Sequence, residues 1–251
     1  MFSGCSSLQS LDLSGWDVSN VTLFGSVDQY GRSSGMFQGC SSLQTLDLSG
    51  WDVSSAANLS GVFSGCSSLQ SLDVSGWDVS SVKGFRSMFR GCSSLTSLDL
   101  SGWDVSSARD LSDMFSGCSS LTSLDLSGWD VSSGTIISSM FSGCSSLSSV
   151  TLGTGCCPVG MLPSGPWYDA EGKEYDRPPA GVAGTFTKTK PAALAVAADG
   201  VSDADALLPA QIAEGEQGGL RYVVVPEGAS FEYGLECPEL AGRYVGPGAY
   251  L

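Results

Sequence analysis

Two alternations of apolar and polar positions take turns along the first 155 residues. In Ser97–Ser101 (SLDLS), Leu98 and Leu100 fall on one face and Ser97, Asp99 and Ser101 on the other, which is the period-two pattern of a strand. Further along the same unit, Leu111, Met114, Phe115, Cys118 and Leu121 stand at i, i+3, i+4, i+7 and i+10. Phe85, Met88, Phe89, Cys92 and Leu95 repeat that spacing. A one-sided stripe of this kind predicts a short helix. Ser107 with Asp110 three residues later resembles a capping box, and Gly117 suits a helix end.

The alternation recurs with a fixed period. The string GCSSL places cysteines at 5, 40, 66, 92, 118 and 144, so the last four steps are 26 residues each and the first is 35, an insertion of 35 − 26 = 9. Trp16, Trp51, Trp77, Trp103 and Trp129 keep the same spacing. One unit cannot bury its own leucines, so consecutive units must stack. Leu95, Leu98, Leu100, Trp103 and Val105 follow the frame L-x-x-L-x-L-x-x-W-x-V, a leucine-rich-repeat frame with tryptophan at the usual Asn/Cys position. The predicted fold is therefore an α/β repeat solenoid of leucine-rich-repeat type. Its parallel sheet occupies one face and its short helices the other, with a small, mainly β C-terminal region.

Three segments follow from this reading. Residues 1–155 form a solenoid of about six 26-residue repeats. Residues 156–190 contain WYD and KEYD flanking a turn near Glu171-Gly172, then a strand over Gly184–Lys190, and read as a β-hairpin cap. Residues 191–251 read as an acidic, Ala- and Gly-rich linker with a small β segment.

The phrase MFSGCSSLTSLDLSGWDVSS resembles the repeat of BspA-type leucine-rich-repeat surface proteins of bacteria, over Met1 to about Leu152. That resemblance implies an exported, non-catalytic protein of the cell surface, or a secreted one, linked to adhesion and contact with a host or extracellular-matrix protein. It supplies no ligand residues to transfer. The chain shows neither the export signal nor the wall anchor usual in such proteins. Met1 and Phe2 occupy the place of Met114 and Phe115, so Met1 reads as an internal repeat methionine of a chain truncated at its N-terminus.

Charge narrows the partners. Lys+Arg 11 against Asp+Glu 26 gives −15, with 5 bases and 13 acids in residues 1–155. Such a surface repels phosphate backbones and anionic lipid, so nucleic acid is not an expected partner. No stretch of about 18 apolar residues is present, so no membrane span is expected. The chain has no histidine, which removes Ser-His and Cys-His catalysis and imidazole-bound zinc. Oligomeric state is left open.

The repeats turn single positions into columns. The cysteine column reads as packing, and Cys156, Cys157 and Cys237, outside it, are the better disulfide candidates. The tryptophans read as core or core edge rather than a sugar platform. Asp17, Asp52, Asp78, Asp104 and Asp130, which follow the tryptophans, read as turn residues bonding nearby backbone N–H groups. The outward column Asp12, Asp47, Asp73, Asp99 and Asp125 is the leading candidate ligand face. A Ca²⁺ site needs about 6–8 oxygens and no EF-hand or RTX loop is present, so no cofactor is expected and Ca²⁺ is a minor alternative. The insertion at Leu23–Gly35 adds Tyr30 and Arg32, on a loop of the kind that projects from one face.

These features point to a surface module for protein–protein interaction, not an enzyme. One alternative is a structural stalk whose functional segments lie outside this chain. The other is polysaccharide cleavage by paired aspartates, which is disfavoured because no carboxylate pair has a distinct environment.

Overall fold

Nine short strands and a long series of turns make up the part of the chain that the computed structural model describes, residues 1–131, 134–155, 162, 165–178 and 181–191. The chain divides into two units, Met1–Pro191 and Ala192–Leu251, and apart from Pro191 the expected linker and β segment at 191–251 lie outside the described residues. So do Cys156, Cys157 and Cys237. The strands are β1 Ser10–Asp12, β2 Gly25–Val27, β3 Ser33–Gly35, β4 Thr45–Asp47, β5 Ser123–Leu126, β6 Ser149–Leu152, β7 Trp167–Tyr168, β8 Glu174–Tyr175 and β9 Gly184–Thr187. We number the coils 1 to 5 from Cys5, Cys40, Cys66, Cys92 and Cys118.

Successive coils pair in parallel through equivalent positions. β1 pairs with β4 so that Leu11 faces Leu46, and β5 pairs with β6 so that Leu124 faces Val150. A second row of parallel bridges links Leu23, Asn58, Gly84, Asp110 and Ile136 on the far part of each coil. After the last repeat, β9 runs antiparallel along β6, with Val150 opposite Phe186, and β7 and β8 extend the same sheet in the order β5-β6-β9-β7-β8.

The α/β solenoid with helices on one face is not what forms. Among the described residues there is no helix, and the structure is made of turns and small sheets. The amides of coil 4 show why. Leu111, Asp113, Phe115 and Gly117 donate outward to the carbonyls of Ile136, Ser138, Met140 and Ser142 in coil 5, at 2.7–2.9 Å. The amides between them stay local: Met114 donates to Leu111 at 3.3 Å, Ser116 to Asp113 at 3.0 Å and Cys118 to Phe115 at 3.0 Å, all i→i−3 bonds. Half the donors an α-helix needs are thus spent on the next coil. Asp113 and Gly117, at φ 56° and 78°, are left-handed and end each turn before a helix can propagate. A run of four-residue turns points the same residues inward as a helix does, so the i, i+3, i+4, i+7 stripe cannot tell the two apart. Nor does the capping box form: Asp110 accepts from the Ser112 amide at 2.9 Å and from its hydroxyl.

Stacked columns fill the interior. The rings of Phe2, Phe37, Phe63, Phe89, Phe115 and Phe141 lie near-parallel with centroids 5.3–5.7 Å apart. Trp51, Trp77, Trp103 and Trp129 are buried beside them. The indoles of Trp51 and Trp103 donate to carbonyls of the preceding coil, Leu13 at 2.9 Å and Val74 at 3.0 Å, so each buried N–H is satisfied as it packs. Each buried cysteine donates its thiol to the carbonyl of a phenylalanine in an earlier repeat, for example Cys92 to Phe63 at 3.2 Å, 29 residues back. Burial pushes Cys66 up to about 12 and Cys144 up to about 11, which removes the thiolate needed for metal or redox chemistry.

Candidate functional site

The outward positions of the strand segment are built as a repeated local motif. Asp73 Oδ1 accepts from the Ser75 hydroxyl at 2.8 Å and from its amide at 3.1 Å. Asp12 with Ser14 and Asp99 with Ser101 form the same pair of bonds. Asp47 and Asp125 accept the amides of Ser49 and Ser127, at 2.9 Å and 2.8 Å. The motif pins one carboxylate oxygen to the turn. Hydrogen bonding holds Asp12, Asp73 and Asp99 below the usual carboxylate range: the backbone amide dominates at Asp12, and the serine hydroxyl dominates at Asp73 and Asp99.

A second aspartate row runs beside the first. Asp17, Asp52, Asp78 and Asp104 bond to Ser19, Ser54, Ser80 and Ser106 in the same way, and the serine hydroxyl leads in lowering each of them. Asp12, Asp47 and Asp73 of the first row and Asp52 and Asp78 of the second line an open groove of about 1000 Å³, which also reaches Leu46, Leu72, Trp51 and Trp77. The charges that act on Asp52, Asp73 and Asp78 are other aspartates: Asp78 and Asp17 on Asp52, Asp99 on Asp73, Asp104 on Asp78. Among the described residues, no basic side chain lines the groove. The groove is a strip of exposed, like-charged carboxylates, suited to attracting a cationic surface. Among the described residues, no three His, Cys, Asp or Glu side chains converge as metal ligands would.

The insertion behaves differently from the expected projecting loop. β2 and β3 form a hairpin with Ser26 opposite Ser34, and its loop is tied by Asp28 Oδ1, which accepts the amides of Tyr30 at 2.8 Å and Arg32 at 2.9 Å. The hairpin lies flat on coil 2. A methyl group on Gly25 would stand 1.8 Å from the Ser60 carbonyl oxygen, and one on Gly35 would stand 2.3 Å from Gly61. Arg86 of coil 3 donates to the Gly31 carbonyl at 3.0 Å, to the Ser112 hydroxyl at 2.6 Å, and pairs with Asp113 at 3.2 Å. Tyr30 is 75% exposed, and the Arg32 guanidinium lies 5.8 Å from its ring centre. Neither residue lines the groove, so the candidates divide between two separate surfaces.

Arg86 was missed by motif reading. Its signal was available: the equivalent positions in neighbouring repeats are Ser60, Ser112 and Ser138, and one arginine in a serine column marks a local departure from the repeat.

No helix among the described residues is long and apolar enough to cross a membrane. No curated protein and no solved structure matches the chain. A family does: residues 1–32 and 31–152 match it, together more than half of the 251 residues and covering the stacked coils. The chain therefore belongs to the family described as Mycoplasma protein of unknown function, DUF285.

Proposed function

We propose that the protein is a non-catalytic, BspA-like module of a bacterial cell surface, or a secreted one, that binds a basic patch on a host or extracellular-matrix protein. The observation that carries this reading is the pair of exposed aspartate rows bordering one groove, with no cation lining it among the described residues. The resemblance of MFSGCSSL and LDLSGWDVS to the repeats of such surface proteins supports the location and the role. The aspartates contribute attraction and orientation to the encounter rather than chemistry, because the repeated Asp-Ser turns give neighbouring carboxylates one environment and no acid–base pair is set apart.

The test is binding of the full chain to an immobilised panel of matrix proteins over a range of salt. Attraction between exposed charges is screened over about 8 Å at 0.15 M ionic strength, so affinity falls as salt rises. A charge-reversed variant, Asp47→Lys with Asp73→Lys and Asp99→Lys, loses that binding. Salt-independent binding, or binding retained by the variant, removes the acidic face from the function.

A further inference from the structure

The charges of the repeats are sorted. Ten of the 13 aspartates in residues 1–155 belong to the two rows of the strand segment, whereas all five cations, Arg32, Lys83, Arg86, Arg90 and Arg109, belong to the hairpin or the turn segments. Arg86 is taken up by an ion pair with Asp113 at 3.2 Å and a hydrogen bond to the hairpin. Lys83 and Arg109 are exposed and have no ion pair. They occupy equivalent positions of adjacent coils, joined by the Arg109 amide donating to the Lys83 carbonyl at 2.9 Å. The equivalent position of the next coil is Thr135, which is buried; Ile136 beside it is 54% exposed, and its amide donates to the Arg109 carbonyl.

From this we infer that the Lys83–Arg109 strip is a docking surface for the aspartate rows of a second copy of this chain. The two surfaces are complementary in both charge and period. Both surfaces are generated by the same stacking, so their charges repeat at the same rise, about 4.8 Å per coil. Lys83 and Arg109 therefore stand one rise apart, as Asp73 and Asp99 do. An intermolecular contact that places one cation against each of two successive aspartates needs no adjustment of either backbone. Exposed Ile136 supplies the apolar surface that a purely ionic contact lacks. The net charge of −15 opposes association at long range, but at physiological salt repulsion beyond about 8 Å is screened and the local match decides. The two surfaces differ, so the contact is head-to-tail and each added copy offers a fresh strip; the assembly is a ring or an open chain of copies rather than a two-fold dimer.

The test is the mass of the full chain in solution by light scattering or sedimentation, as a function of protein concentration, with no other partner present. This separates the inference from the proposed host binding, which would stand or fall on its own. At about 0.15 M salt the mass of the wild type rises steadily with concentration, and at about 1 M it returns to the 25.8 kDa monomer. Two variants are each monomeric at both salts: Lys83→Glu with Arg109→Glu, and Asp47→Lys with Asp52→Lys, Asp99→Lys and Asp104→Lys, which leaves no two successive aspartates in either row. Mixed together, they associate, because the intact aspartate rows of the first meet the intact basic strip of the second. This mixing step guards against a folding defect, since a misfolded variant could not restore assembly. A wild type that stays monomeric, a variant that still assembles alone, or a mixture that stays monomeric overturns the inference. A monomeric wild type that instead captures a sulfated polysaccharide through Lys83 and Arg109 assigns the strip to a polyanion and likewise overturns it.

Discussion

Arg86 Nε donates to the carbonyl oxygen of Gly31, 55 residues earlier in the chain, across 3.0 Å. This bond ties the tip of the coil 1 hairpin to coil 3, and the same guanidinium continues to Ser112 and Asp113 in coil 4. One side chain therefore fastens the hairpin, the insertion that breaks the repeat, to two further coils at once.

Replacing Arg86 with alanine is expected to cost about 1–2 kcal/mol, the scale of a few partly exposed charge-assisted bonds after solvent screening. Urea unfolding reads the loss as a lower midpoint, and hydrogen exchange places it, with faster exchange in the amides of 25–35 and little change in coil 5. Arg86→Lys recovers little, because an ammonium cannot reach three acceptors in a fixed plane. Gly25→Ala is more damaging than either, since its methyl group meets backbone at Ser60 rather than a movable side chain.

Ser139 offers the opposite sign. It holds φ 57°, in the same repeat position as Ser87 and Asp113, while coil 2 has Gly61 there at φ 67°. The left-handed region costs a residue with Cβ about 1–2 kcal/mol, part of which glycine returns through its freer unfolded chain. Ser139→Gly should therefore stabilise the protein by about 0.5–1 kcal/mol, seen as a raised urea midpoint with an unchanged slope.

The cysteine column predicts a pattern of reactivity. Cys5 is exposed, whereas Cys66, Cys92 and Cys118 are fully buried, each donating its thiol to a phenylalanine carbonyl. Alkylation of the native protein, mapped by peptide mass, should label Cys5 within minutes and leave the other three untouched until urea unfolds the repeats. Fast labelling of Cys92 in native protein would show that the column is open to solvent.

Acid should weaken the fold from a known direction. Asp12, Asp73 and Asp99, with Asp17, Asp52, Asp78 and Asp104, have lowered folded-state pKa values, from hydrogen bonds to Ser14, Ser75, Ser101, Ser19, Ser54, Ser80 and Ser106. A lowered value means that the contribution is present above the unfolded pKa, about 3.9, and is lost as pH falls through the folded one. Stability should be flat from neutral pH to about 5 and drop below about 4. Ser101→Ala removes the larger of the two bonds on Asp99, so the carboxyl of Asp99 should titrate at higher pH when followed by NMR. No rise would detach the hydroxyl from its ionisation.

Much of this arrangement was legible in the residues. The 26-residue period, the inward columns of Leu98, Trp103 and Cys92, and the outward Asp99 all follow from identity and spacing, because stacking copies one local choice along the chain. The turns around Asp104 were legible too, since Asp two residues before Ser is a local bonding pattern. The helix was not. Its spacing at Leu111, Met114, Phe115 and Cys118 is shared by a run of tight turns, and what chooses between them is where the amides of Asp113 and Phe115 donate, a property of the neighbouring coil. The hairpin's position was hidden for a related reason. Gly25 and Gly35 signal close backbone approach, but the approached surface, Ser60–Gly61, is distant in the chain.

The most direct test of the acidic face as the recognition surface is hydrogen exchange of the full chain with and without a bound basic matrix protein. The account predicts slower exchange in the strand segments that carry the aspartate rows, at 45–54, 71–80 and 97–106, with the hairpin and the turns at 111–118 unchanged. Protection confined to the hairpin or to those turns, with the strand segments exchanging as in the free protein, would contradict it.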